Sequence, residues 1–146
     1  MSAEQLTKTV GYIRVASGSA RKREGSIYIQ RKAILKYAKI SGMQVVRFFA
    51  DHECIADIAQ RQGLSDALAY IACGKAQALA VASLDRLSSS VRTIMRFVAQ
   101  HGFLAGGPAL ISVKEGLDTR TDQGRVALGV MAAVTRWELE TQGGGA

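Results

Sequence analysis

The segment Gln77–Ser83 constrains the fold more than any other. It is almost entirely apolar, begins just after Gly74 and ends at the polar stretch Ser83-Leu84-Asp85-Arg86. A strand with no polar alternation has no face to offer water, so it belongs at the centre of a parallel sheet covered by helices on both sides. The surrounding sequence supplies the partners. Thr9–Val15, Gln44–Ala50 and Ala109–Val113 read as further strands, rich in β-branched and aromatic residues. Helical spacing covers Ser26–Lys39 with Ser26 as N-cap, Gly63–Cys73 ended by Gly74, Ser90 to about Gln100, and a long stretch from Thr121 or Asp122 to Glu140. Ala16–Gly25 and Asp51–Gln60 read as loops. Strands alternating with helices predict a three-layer α/β domain with a central, mainly parallel four-stranded sheet and a long C-terminal helix.

The 146 residues suit one domain, taken as 1–142, with a Gly-rich tail at 143–146 that reads as a linker or an artificial end. No apolar run approaches the roughly 20 residues that span a bilayer, and the polar start Met1–Thr9 has no signal-peptide core. The expectation is a cytoplasmic protein with no membrane partner. Cys54 and Cys73 lack metal-ligand spacing and fit a reduced compartment, so no metal is expected.

Charge is one-sided. Residues 1–40 carry nine Lys/Arg against Glu4 and Glu24, whereas residues 41–146 balance ten against ten. The whole net charge of +7 therefore lies in the first part of the chain. Such asymmetry is the footprint of a polyanion partner, though a solvated basic helix would look the same. Arg21, Lys22 and Arg23 are the densest group and the candidate contacts to such a partner.

The loop after the first strand, Val15-Ala16-Ser17-Gly18-Ser19-Ala20-Arg21-Lys22, matches neither the dinucleotide fingerprint nor the P-loop. A nucleotide-binding protein is thus disfavoured and no cofactor is expected. Arg14, Arg61 and Arg86 each fall near a strand end or a helix start. Open α/β sheets bind ligands at the carboxyl ends of their strands, and a planar guanidinium grips phosphate with two donors without losing its proton. Metal-free phosphodiester cleavage needs such cations together with a nucleophile.

Tyr12-Ile13-Arg14-Val15-Ala16 and Asp85-Arg86-Leu87-Ser88-Ser89-Ser90 resemble two motifs of the serine recombinases, the resolvase, invertase and large-integrase family: Tyr-x-Arg-Val-Ser and Asp-Arg-Leu-Ser-Arg-Ser. Arg14 matches the first active-site arginine, Gln30 the glutamine of the first helix, and Asp51 the aspartate ending the second strand. Arg61, in Arg61-Gln62-Gly63-Leu64, matches the arginine of Arg-Pro-Gly-Leu; Asp85 and Arg86 match the Asp-Arg pair, and Glu138 a glutamate of the last helix. The resemblance covers about residues 8–140. It implies a resolvase-like fold and a serine that forms a 5′-phosphoserine link to DNA. It also implies transition-state stabilisation by arginines, no metal, and a homodimer or tetramer assembled through the last helix.

Two positions depart from the family. Ala16 stands where the nucleophilic serine belongs and Ser89 where a second arginine belongs. Ser17, one residue on, is a possible replacement, although neighbouring strand residues face opposite ways. Arg92 is a possible substitute cation. The alternative is a pseudo-recombinase, kept for self-association or DNA-linked regulation. On the last helix, Val126, Val130, Met131, Val134 and Trp137 form an apolar stripe that suits either core or subunit interface.

Overall fold

The computed structural model describes residues 6–16, 18–52 and 58–144. Nine elements follow in order: β1 (Thr7–Val15), α1 (Ala20–Ser41), β2 (Met43–His52), α2 (Gln62–Ala72), β3 (Ala78–Val81), α3 (Val91–Gln100), β4 (Ala109–Ser112), β5 (Leu117–Asp118) and α4 (Asp122–Gly144). The sheet runs β2-β1-β3-β4-β5. The first four strands are mutually parallel and β5 pairs antiparallel with β4. Ala78, Leu79, Ala80 and Val81 are all fully buried, as an apolar run at the centre of a doubly covered sheet requires.

Alternation along the strands divides the core into two. Val10, Tyr12, Leu79, Val81 and Leu110 face α2, α3 and α4, which contribute Leu64, Ala67, Ile94, Phe97, Val98 and Leu128. Ala78, Ala80 and Ile111 face the other way, where α1 covers them with Ile34 and Ala38.

The structure corrects the sequence reading at four places. The sheet has five strands rather than four, because the chain turns back after β4 and adds Leu117–Asp118; a two-residue strand carries no periodicity to read. The first helix begins at Ala20, not after Ser26, because Ser19 caps it by accepting from Lys22 N at 3.2 Å. Arg21, Lys22 and Arg23 therefore occupy the first turn of α1 instead of a loop, and Ser26 lies inside the helix. The stripe on α4 also splits: Met131 packs on the core with Leu128, whereas Val126, Val130, Val134 and Trp137 are exposed. Finally, α4 runs through Gly144, so the tail expected from 143 starts as helix, and residues 145 and 146 lie outside the described residues.

The helix ends follow their sequence signals. Gly42 stops α1 with φ +72°, a conformation glycine adopts at little cost. Ser90 caps α3 through Thr93 N, and Thr121 caps α4 by accepting from Gly124 N at 2.9 Å.

At the end of the sheet opposite the strand carboxyl termini, Arg120 ties three elements together. It donates to Asp118 at 2.7 Å, to Ser41 O at 2.9 Å and to Thr7 Oγ1 at 3.1 Å. Tyr37 of α1 donates to Asp118 at 2.9 Å. Burial alone would raise the Asp118 carboxyl, but the bonds from Arg120 and Tyr37 outweigh it and hold the group below the usual carboxylate range.

Candidate active site

The carboxyl ends of β1, β2 and β3 meet the start of α2, and the polar residues collect there. Strand β3 stops pairing with β1 at Tyr12, so the last residues of β1 lose their ladder on that side. Gln30, reaching in from α1, takes over. Its Oε1 accepts from Arg14 N at 3.2 Å and its Nε2 donates to Arg14 O at 3.0 Å, with a further bond to Ser26 Oγ at 3.0 Å. A buried amide that pairs both backbone groups of one residue fixes that residue's orientation.

After β3 the chain makes a 3-10 turn, Leu84–Arg86. Arg14 grips it through one edge of its guanidinium, Nε to Arg86 O at 3.0 Å and Nη2 to Asp85 O at 2.8 Å. Arg86 returns the contact, Nη1 to Arg14 O at 3.2 Å. Arg61, at the start of α2 and only 2% exposed, donates to Leu87 O and to Arg86 O. Arginines from the end of β1 and the start of α2 thus converge on a turn that itself carries a third. Arg86 Nε is buried without a hydrogen-bond partner among the described residues and lies 3.9 Å from the Asp85 carboxylate, while Ser83 Oγ donates to that carboxylate.

Asp51, at the end of β2, faces the same cluster from behind. It accepts from Gly63 N at 2.7 Å, Leu64 N at 3.0 Å and Tyr12 OH at 2.7 Å. Arg61 is the N-cap of α2 but makes no side-chain cap bond, so Asp51 satisfies the helix's leading N–H groups in its place. Gly63 is essential to the approach: a Cβ there would lie 2.4 Å from Ala50 O. Burial, reinforced by the bond to Asp51, drives the Tyr12 phenol well above its usual pKa, leaving it a permanent donor. In the sequence Tyr12 is marked only as part of a motif, and nothing there ties it to a residue 39 positions away.

The remaining expected residues lie as follows. Ala16 is exposed at the end of β1 and Ser89 is exposed after the turn. Ser17 lies outside the described residues, as does Cys54. Arg21 and Lys22 are exposed on the first turn of α1, and Arg23 is half-buried with Nη1 donating to Gly18 O at 2.6 Å. Arg92 is half-buried and has a partner of its own. Glu138 is exposed on the outer part of α4 and is not joined to the arginines by a hydrogen bond or ion pair. Among the described residues no group of three or more His, Cys, Asp or Glu could hold a metal, and no helix is long and apolar enough to cross a membrane.

Fold and site together define a doubly wound α/β domain whose central strand delivers an arginine-bearing turn to the sheet's carboxyl edge. Known proteins of this kind narrow the class. The family model for the resolvase N-terminal domain matches residues 9–143, and the chain belongs to that family, a serine recombinase catalytic domain. Among solved structures it is similar to the N-terminal catalytic domain of TP901-1 integrase, with a TM-score of 0.77 and 28% identity over 92% of this chain and 98% of that one. It shares its fold with a resolvase family site-specific recombinase from Streptococcus pneumoniae (TM-score 0.70, 21% identity, 92% and 89% covered). The same holds for the C-terminal catalytic domain of ISC1926 TnpA, an IS607-like serine recombinase (TM-score 0.54, 18% identity, 92% and 84% covered). No curated protein matches the chain.

Proposed function

We propose that this domain acts on DNA phosphodiesters in site-specific recombination, with Arg14, Arg61 and Arg86 holding the phosphate. The observation that carries the reading is their convergence on the Leu84–Arg86 turn. Arg14 uses Nε and Nη2 on the turn, which leaves Nη1 without a partner among the described residues. A guanidinium anchored along one edge is pre-organised to meet charge at the other, and such donors act most strongly when they need no rearrangement. In the reaction the site is built for, a serine oxygen bonds to phosphorus as the bond to the 3′ oxygen breaks. The serine loses its proton and the departing 3′ oxygen gains one, leaving a 5′-phosphoserine link and a free 3′-hydroxyl.

Ala16 bears on whether this chain completes that step. It occupies the position of the attacking serine and offers no hydroxyl. With Ser89 in place of a cation, this supports a second reading, in which phosphate binding persists and cleavage is lost. The exposed side chains Val126, Val130, Val134 and Trp137 of α4 support self-association through that helix. DNA bridged by a phosphorothiolate at the scissile position, which traps a covalent intermediate, separates the two readings: only a working nucleophile becomes attached.

A further inference from the structure

Glu115 lies in the turn between β4 and β5, a position the sequence did not mark. Both of its carboxylate oxygens face Leu84 N, at 3.3 and 3.4 Å, and Ser112 Oγ at the end of β4 donates to Oε1. Leu84 opens the Leu84–Arg86 turn, and the first N–H groups of any helical turn lack partners within it. Ser83, the residue in the capping position, makes no side-chain cap bond because its hydroxyl is directed to Asp85. Glu115 therefore supplies the cap from a neighbouring strand connection. Its own placement is secured by Ser112, which is fully buried. The turn's own main-chain bonds are few, Arg86 N to Ser83 O, Leu87 N to Leu84 O and Ser88 N to Leu84 O, and isolated 3-10 turns are weakly held. Yet this turn carries Asp85 and Arg86, and its carbonyls receive Arg14 and Arg61.

We propose that Glu115 is a positioning residue that locks the Leu84–Arg86 turn and, through it, the mutual placement of Arg14, Arg61 and Arg86. The proposal rests on reading those arginines as the phosphate-holding groups. The Glu115 carboxylate is a stronger acceptor for the Leu84 N–H than a neutral group would be, so a glutamine keeps part of the lock and an alanine none.

Hydrogen exchange of arginine Nε–H groups in the full chain, followed by NMR, tests this. Arg14 Nε–H donates to the turn, whereas Arg120 Nε–H donates to Asp118 at 3.0 Å at the far end of the sheet and serves as the internal reference. Glu115→Ala should speed exchange at Arg14 about tenfold, the scale of losing one bond to a charged group, and leave Arg120 unchanged. Glu115→Gln should recover part of the protection, and it supplies the comparison with the unaltered chain if the alanine variant does not fold. Unchanged exchange at Arg14, or equal acceleration at Arg14 and Arg120, would overturn the proposal. The same samples titrated with a short DNA duplex test the underlying reading separately. Arginine signals of the unaltered chain that fail to move with DNA reject the phosphate assignment, while the exchange rates still decide whether Glu115 holds the turn.

Discussion

Arg14 and Arg86 each donate to the other's main-chain carbonyl, Arg14 Nε to Arg86 O at 3.0 Å and Arg86 Nη1 to Arg14 O at 3.2 Å. The end of β1 and the turn after β3 are therefore clasped by the very side chains proposed to hold DNA. Lysine, with a point charge and no fork, cannot reproduce such a contact. Site and scaffold share residues here, so substitutions at these positions should report on both.

Arg61 shows this most sharply. Its guanidinium is buried and directed at the carbonyls of Arg86 and Leu87. Arg61→Ala should cost about 1–3 kcal/mol of stability by leaving the Leu87 carbonyl without its donor, since Arg86 O keeps the bond from Arg14 Nε. Arg61→Lys should recover little of it. Urea unfolding of the three proteins checks both statements.

The first turn of α1 predicts two effects of opposite sign. Arg21, Lys22 and Arg23 stand at the positive end of a helix with no acidic residue in its first turn. Like charge there is unfavourable by about 0.3–1 kcal/mol per group. Charge reversal of all three to Glu should abolish most non-specific DNA binding, and should leave thermal stability unchanged or raised. In the unaltered chain the affinity should fall by orders of magnitude between low and moderate salt as counterions are released. Fluorescence anisotropy across a salt series, paired with thermal melts, measures both effects.

The Asp118–Arg120–Tyr37 cluster should set the acid limb of stability. The folded carboxyl of Asp118 is held below its usual range, so the native state binds fewer protons there than the unfolded chain. Its contribution is complete above the unfolded value of about 4 and is lost as pH falls through the lowered folded value. Asp118→Asn should lower stability near neutrality and flatten the decline in acid. Unfolding free energies measured from pH 7 down to pH 2 would reveal the change of slope.

Much of the fold is readable in the sequence where one residue type answers to one physical demand. The almost entirely apolar Gln77–Ser83 run announces a central strand, and Ser90 and Gly42 mark helix ends they do in fact make. The start of α1 is not readable, since its first turn is polar and exposed and lacks the apolar spacing that begins at Ile27. Strand β5 is too short to carry a pattern. At the site, Arg14 and Arg86 stand out through their motifs, whereas the pairings of Tyr12 with Asp51 and of Glu115 with Leu84 join positions far apart in the chain. Only the folded topology brings them together.

Self-association should depend on the outward face of α4. Val130→Glu and Trp137→Glu change exposed side chains, so they should convert any dimer or tetramer to monomer with little loss of monomer stability. Sedimentation across a concentration series provides the comparison, and an unaltered chain that stays monomeric at high concentration would exclude the α4 interface.

If the arginine cluster holds phosphate and Ala16 stands where the attacking hydroxyl belongs, covalent trapping on DNA gives the most direct test. The protein is incubated with phosphorothiolate-bridged DNA, and the peptide Val15–Arg21 is examined by mass spectrometry. The unmodified chain should give no adduct, because without a nucleophile the covalent route is closed. Ala16→Ser should give one, and adding Ser89→Arg should raise its yield more than additively, since nucleophile and phosphate-holding groups act as a unit. An adduct on the unmodified chain that disappears in Ser17→Ala would contradict this and assign the attack to Ser17.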